Sequence, residues 1–227
     1  MKVTPQQPLA LEVPPRYGRQ DFMPSECNAE ALSWVGSWPD WPGPALALYG
    51  PAGSGKTHLL HIWVEASQGV LLQGPELTTE AAHELAGRPV AVDRADAMVR
   101  PEPFLHLYNM QREAGAHLLF AARTPPAEWT HGLPDLASRL ATAPAVKIHE
   151  PDDNLLAALL LKYASDRQLD LTPSAYAYIL PRLERSFAGV RDVIARLDRA
   201  ALEQQKRHVS RDLAIAVLKQ DEERRDG

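Results

Sequence analysis

Residues 50–57 read Gly-Pro-Ala-Gly-Ser-Gly-Lys-Thr, a complete G-x-x-x-x-G-K-[ST] pattern. No other feature of the chain restricts the fold so tightly, because this octapeptide functions only as the turn between a strand and a helix. Its flanks comply. The apolar run Leu46–Tyr49 precedes it, and helical spacing follows over Leu59–Ala66. The residue types serve one chemistry. Glycines let backbone N–H groups curl around an anion without Cβ clashes. The helix start adds a partial positive charge. Lys56 reaches the β- and γ-phosphates of a nucleotide, and Thr57 offers its hydroxyl to Mg²⁺. Gly50, Pro51, Ala52, Gly53, Ser54, Gly55, Lys56 and Thr57, with His58 directly after, are therefore candidates for binding ADP or ATP. The plainer alternative is a glycine-rich turn that binds nothing.

Phosphate chemistry also needs an acid at the end of a neighbouring strand. Val90-Ala91-Val92-Asp93 supplies one, and Asp93 is expected to hold Mg²⁺ together with Thr57, partly through water. An N-cap aspartate after a strand would look the same. Many phosphate-loop ATPases carry a second acid next, to orient the attacking water. This chain has Arg94 there, and Asp96 follows two residues later. Nucleotide binding is expected; turnover by the chain alone is expected to be weak or absent.

Short apolar runs recur at Ala45–Tyr49, Val70–Leu72, Pro89–Val92, His117–Ala122 and Ala145–Ile148, with helical spacing between them. Such alternation predicts an α/β core with a five-stranded parallel sheet. Eight of the twenty prolines fall in residues 1–44, which predicts an extended arm with one short helix near Asn28–Val35. After Glu150 the strand signals stop. Leu155, Leu156, Leu159, Leu160 and Tyr163 form one helical stripe, and Val190, Val193, Ile194 and Leu197 another. Thr172-Pro173 opens a helix that Pro181 should end or kink, and Ser210 caps a last helix through Leu218, leaving a charged tail from Asp221. The expected segments are 1–44 (arm and first helix), 45–150 (nucleotide-binding core) and 151–227 (small all-helical unit).

Twenty-four basic and twenty-nine acidic residues give a net charge of −5, unsuited to bulk attraction to DNA or anionic lipid. The single cysteine, Cys27, excludes an intrachain disulfide and suits a reducing compartment. No run approaches the roughly 18 apolar residues of a membrane span, and the start lacks a secretory h-region; a cytoplasmic location is expected. His58 and His61 have no carboxylate or cysteine to complete a metal set. Trp34, Trp38 and Trp41 lack interleaved basic residues, which favours packing over stacking on single-stranded bases.

Four further stretches, in order, carry a resemblance: Phe104–Asn109 through Glu113-Ala114-Gly115; Leu118-Leu119-Phe120 with Arg123-Thr124-Pro125-Pro126; Leu133–Leu140; and Phe187-Ala188-Gly189-Val190-Arg191. With the phosphate loop they resemble AAA+ ATPases of the DnaA/Hda group, most of all the DnaA regulatory inactivator Hda. The resemblance covers nearly the whole chain. It implies an AAA+ phosphate-loop core followed by a helical lid. It implies that Arg139 is an arginine finger presented to a nucleotide on a neighbouring protomer, where residues alone would make it a solvated or salt-bridging arginine. It implies that Arg191 is the sensor II arginine, where residues alone would make it a surface charge. Tyr17, Phe22 and Asn28 fall where the family builds the base-side wall of its nucleotide pocket. Ala121-Ala122-Arg123 departs from the polar residue usual at sensor I.

Gln6-Gln7-Pro8-Leu9-Ala10-Leu11 fits Q-x-x-L-x-L, similar to the peptide by which Hda docks on the β sliding clamp; a proline-rich arm packing on its own domain would read alike. Gln6, Leu9 and Leu11 are the clamp-binding candidates. The implied function is negative regulation of replication initiation. The chain would dock on the clamp, reach DNA only through it, and promote hydrolysis of DnaA-bound ATP in trans through Arg139. Homo-oligomers are allowed and no membrane partner is implied. The rival readings are an autonomous phosphate-loop ATPase or kinase, and a nucleotide-dependent scaffold in replication.

Overall fold

The computed structural model describes residues 17–129 and 132–225, with side chains through Lys219. Two compact units emerge, one over Arg16–Glu150 and one taking in Pro151–Gly227.

In the first unit, β1 (Ala45–Tyr49), β2 (Val70–Gln73), β3 (Val90–Asp93), β4 (Leu118–Ala122) and β5 (Ala145–Lys147) form one parallel sheet in the order β2-β3-β4-β1-β5. The five apolar runs of the sequence are these five strands. Side chains alternate across the sheet, so β1 to β4 each feed two cores, while the edge strand β5 buries only Val146, on one face. Ala45, Ala47, Val90, Val92, Leu118 and Phe120 pack with Phe104, Leu107 and Tyr108 of α4 (Glu102–Ala114) and with Leu136 and Leu140 of α5 (Pro134–Thr142). Leu46, Leu48, Ala91, Leu119 and Ala121 face the other way, against α1 (Ala29–Gly36) and α2 (Lys56–Ser67), whose Trp63 is fully enclosed. A sheet covered on both faces needs near-continuous apolar strands. A six-residue helix, α3 (Thr79–Glu84), packs beside α4. Trp34 and Trp38 pack against the second core and Trp41 lies within it, as expected for structural tryptophans.

Register places two elements of the site side by side. β4 lies between β1 and β3, pairing Tyr49 with Ala122 and Val92 with Phe120. The turn after β1 and the last residue of β3, Asp93, therefore both leave the sheet at its carboxyl edge. Ligands of open α/β sheets bind there.

The second unit contains α6 (Asp153–Asp166), α7 (Pro173–Ile179), α8 (Phe187–Glu203) and α9 (Arg211–Arg225). Four helix starts are capped by side chains. Asp152 accepts from Leu155 N–H at 2.7 Å, Thr172 from Ala175 at 3.1 Å, Ser186 from Gly189 at 2.9 Å and Ser210 from Leu213 at 3.3 Å. Each such cap contributes about 1 kcal/mol. Pro181 ends α7 in a 3-10 turn, Leu180–Arg182.

Two details differ from the sequence expectation. Asp170–Leu171 (β6) and His208–Val209 (β7) form a two-residue parallel ribbon, where no strands were expected after Glu150. It closes because Asp170 N–H donates to the Arg207 carbonyl and Thr172 N–H to that of Val209, and pairs this short have no periodicity to read. The last helix also runs on to Arg225 rather than ending at Leu218. Lys, Gln, Glu and Arg are good helix formers and no Gly or Pro interrupts them before Gly227.

Candidate functional site

The phosphate loop is shaped by its neighbours. Gly50 N–H donates to the Ala122 carbonyl of β4 at 3.2 Å, and a Cβ at Gly50 would sit 2.1 Å from the Ile148 carbonyl oxygen. Only glycine fits between those two backbones, and its φ of 152° lies outside the range other residues favour. At the other end Gly55, with φ 94°, turns the chain into α2. The helix axis then starts at the loop, with its first N–H groups directed at whatever the loop holds.

Lys56 is the hub. Its Nζ donates to the Gly50 carbonyl at 2.8 Å, the Pro51 carbonyl at 2.6 Å and Ser54 Oγ at 3.2 Å. These take all three ammonium donors. Burial pushes its pKa down to about 8. Asp93 and Asp96 pull the other way, and Arg123 adds to the lowering. The protonated fraction of Lys56 falls from about 90% at pH 7 to about 10% at pH 9 for a pKa near 8. Phosphate binding needs the charge, so ADP affinity should drop about tenfold over that range. Calorimetric titration at the two pH values checks this, and a flat profile counts against Lys56 as the phosphate cation.

Asp93 is 6% exposed. Its Oδ2 accepts from Thr57 Oγ1 at 2.7 Å and its Oδ1 from Arg94 N–H at 2.9 Å. The hydroxyl and carboxylate proposed to share a cation are thus brought together across 36 residues of sequence. Both are hard oxygen donors, the kind that Mg²⁺ selects. Arg94 is exposed and adopts a left-handed backbone, φ 52°, ψ 44°. Asp96 does not stand in for a second catalytic acid hydrogen-bonded to the loop. Its Oδ2 accepts from Arg123 N–H at 2.9 Å and ties the turn after β3 to the end of β4.

The residue run alone gave no link from Lys56 to Asp96 or Arg123, both of which act on it electrostatically. They become neighbours only because β3 and β4 are adjacent, which no local pattern announces. The His58 ring packs against the segment before α1. Its Nε2 lies 2.9 Å from the Gly18 carbonyl, and its ring meets Tyr17 and Phe22 edge-on. Tyr17 also stacks on His61 at 4.1 Å between centroids, so the segment before α1 is fastened to the first turns of α2. His58 thus contributes to the site by anchoring this segment. Asn28 is buried and turned inward: it accepts from Ser25 N–H and donates to the Met23 carbonyl. Cys27 is buried.

Arg139 lies in the last turn of α5, half-buried. It lines a pocket with residues 42–45, which lead into β1. That is the amino edge of the sheet, one strand length from the phosphate loop, roughly 15 Å at 3.3 Å per residue. The Gln6, Leu9 and Leu11 candidates lie outside the described residues.

A family model described as the lid domain of Hda matches residues 152–214. Domain III of the Thermotoga maritima replication initiation protein DnaA is similar to this chain at TM-score 0.76 and 18% identity, over 96% of this chain and 98% of that one. The chain has the AAA+ fold of DnaA domain III. Within AAA+ structures the likeness extends to the Thermotoga maritima RuvB Holliday junction branch migration motor, at TM-score 0.71 and 16% identity over 90% of this chain and 72% of that one. AMPPCP-bound DnaA from Aquifex aeolicus is similar at TM-score 0.66 and 18% identity, covering 79% and 64%.

Within the segment that matches the lid model, the Ser186 cap starts α8 so that Arg191 falls in its second turn, exposed, with its guanidinium 5.7 Å from the centre of the Tyr163 ring. No helix among the described residues is long and apolar enough to cross a membrane, and none of their His, Cys, Asp and Glu side chains group in threes to hold a metal.

Proposed function

We propose that this chain is a nucleotide-binding regulator of replication initiation that promotes hydrolysis of DnaA-bound ATP in trans. The observation that carries the reading is the position of Arg139, at the opposite edge of the sheet from the chain's own phosphate loop. An arginine there cannot serve the nucleotide held at Lys56, and it is free to serve one held by another molecule. The match of residues 152–214 to an Hda lid model supports an Hda-like regulator.

In this reading the chain's own loop binds ADP or ATP as an assembly element. Gly50–Thr57 cradle the phosphates, Lys56 exchanges its loop carbonyls for phosphate oxygens, and Arg191 is carried over by resemblance as a further nucleotide-binding arginine. Thr57 and Asp93 would hold Mg²⁺, which would supply positive charge to offset that of the phosphates. Arg94, where a second acid would stand, keeps the chain's own turnover low. Gln6, Leu9 and Leu11 dock on the β sliding clamp, and DNA is reached only through it. The tether raises local concentration at sites where DnaA-ATP is consumed. The setting is cytoplasmic, and homo-oligomers are compatible with it.

The test is the rate of DnaA-bound ATP hydrolysis with and without this chain on clamp-loaded DNA. Stimulation is expected. A Gln6/Leu9/Leu11→Ala protein should lose at least tenfold of it on clamp-loaded DNA and nothing when the chain is supplied in large excess without clamp. Absence of stimulation by the unmutated chain, together with steady ATP turnover of its own, would favour the autonomous ATPase instead.

A further inference from the structure

The pocket at the amino edge of the sheet holds a second cation. It has a volume of about 230 Å³, room for roughly seven waters at ~30 Å³ each. That suits a phosphate chain and falls below the roughly 300–1,000 Å³ of sites that enclose whole drug-sized ligands. Two guanidinium side chains line it, Arg139 from the last turn of α5 and Arg112 from the last turn of α4. The other walls come from Tyr108, Thr142, Ala143 and residues 42–45; no carboxylate lines it. Among the described residues neither arginine forms an ion pair, although the chain has an excess of five acidic charges.

Helix carbonyls explain why an arginine is welcome in the last turn of either helix. They do not explain two like charges converging on one small pocket without an acid between them, since like charges repel. An anion resolves the arrangement. Arginine's planar fork takes phosphate oxygens two at a time, and two forks on one pocket can grip neighbouring phosphates. The chain's own nucleotide loop is at the far end of β1, so the anion must arrive on another molecule.

We propose that Arg112 is a second phosphate-binding cation, which acts beside Arg139 on the triphosphate held by a partner protein. This rests on the reading that Arg139 works in trans. Arg139, half-buried, is the fixed member; Arg112, exposed on the rim, captures and orients the phosphate chain.

The experiment has two arms. In the first, DnaA-bound ATP hydrolysis on clamp-loaded DNA is measured with unmutated, Arg112→Ala, Arg112→Lys and Arg139→Ala proteins, with clamp binding checked in parallel. Arg112→Ala is expected to lower the stimulated rate about tenfold, the usual weight of one charge-assisted hydrogen bond, at unchanged clamp binding. Arg112→Lys is expected to recover part of it, because it keeps the charge and loses the fork. An Arg112→Ala rate equal to the unmutated one overturns the proposal.

The second arm does not depend on DnaA. The phosphate loop is silenced by Lys56→Ala, and tripolyphosphate is titrated into that protein by calorimetry. Adding either Arg112→Ala or Arg139→Ala should weaken binding at least fivefold. If the unmutated chain fails to stimulate DnaA, the trans reading falls and this arm alone judges the pocket. Tripolyphosphate binding that needs both arginines then leaves a phosphate site serving another partner. Binding indifferent to both removes the site as well. Arg112 is exposed and unpaired among the described residues, so its loss leaves the fold intact.

Discussion

An Arg139→Ala protein is expected to fold, to bind ADP as the unmutated chain does, and to return DnaA-bound ATP hydrolysis to the rate DnaA shows alone. An arginine finger contributes on the order of 10³–10⁵ in rate because it neutralises charge that grows on the transferring phosphoryl group in the transition state. Arg112, which lines the same pocket, is proposed to bind and orient phosphates and so does not restore the charge lost at the transferring group. The fold should survive because Arg139 is half-buried rather than enclosed, and the contacts that hold α5 on the sheet come from Leu136 and Leu140. The measurement is single-turnover hydrolysis of labelled ATP preloaded on DnaA, with clamp-loaded DNA present. Stimulation by the alanine variant at the unmutated level would return Arg139 to the status of a surface arginine and favour a scaffold role.

The second large effect concerns Lys56. In Lys56→Ala, ADP affinity should fall at least a hundredfold, by calorimetry or by displacement of a fluorescent nucleotide, and stimulation of DnaA should fall with it if the nucleotide organises the chain for its partner. Two contributions add up. The variant loses a charge-assisted contact to two phosphates. It also leaves the Gly50 and Pro51 carbonyls without the donor that now spans them, so the loop is freer before binding and costs more to order. Retained affinity with lost stimulation would separate the two roles and show that the lysine positions the loop more than it holds the ligand.

Legibility in the sequence varied with the range of the interaction. The phosphate loop was readable because its geometry is written in eight consecutive residues. The five strands were readable because a sheet covered on both faces leaves uninterrupted apolar runs, such as Ala45–Tyr49 and Leu118–Ala122. The meeting of Thr57 with Asp93 could be expected from the chemistry of the loop, and the geometry brings them to 2.7 Å. Asp96 and Arg123 were not assignable in this way. Their bond depends on strand order, and order is a long-range property. The ring contacts of His58 were hidden for a related reason: they are made with Tyr17, Phe22 and the Gly18 carbonyl, which lies forty residues earlier. The β6–β7 ribbon was hidden because two-residue strands have no period.

The left-handed turn at Arg94 bears on the chain's own turnover. A non-glycine residue held at φ 52° carries a standing cost, of order 1–2 kcal/mol, and here the conformation is fixed on one side by Asp93 Oδ1 and on the other by the 3-10 turn that brings Asp96 to β4. Exchanging Arg94 for Glu would inherit that torsion and the outward direction of an exposed side chain. A water-orienting acid at this position therefore needs a different main-chain path as well as a different side chain, so Arg94→Glu alone is not expected to raise the chain's own turnover.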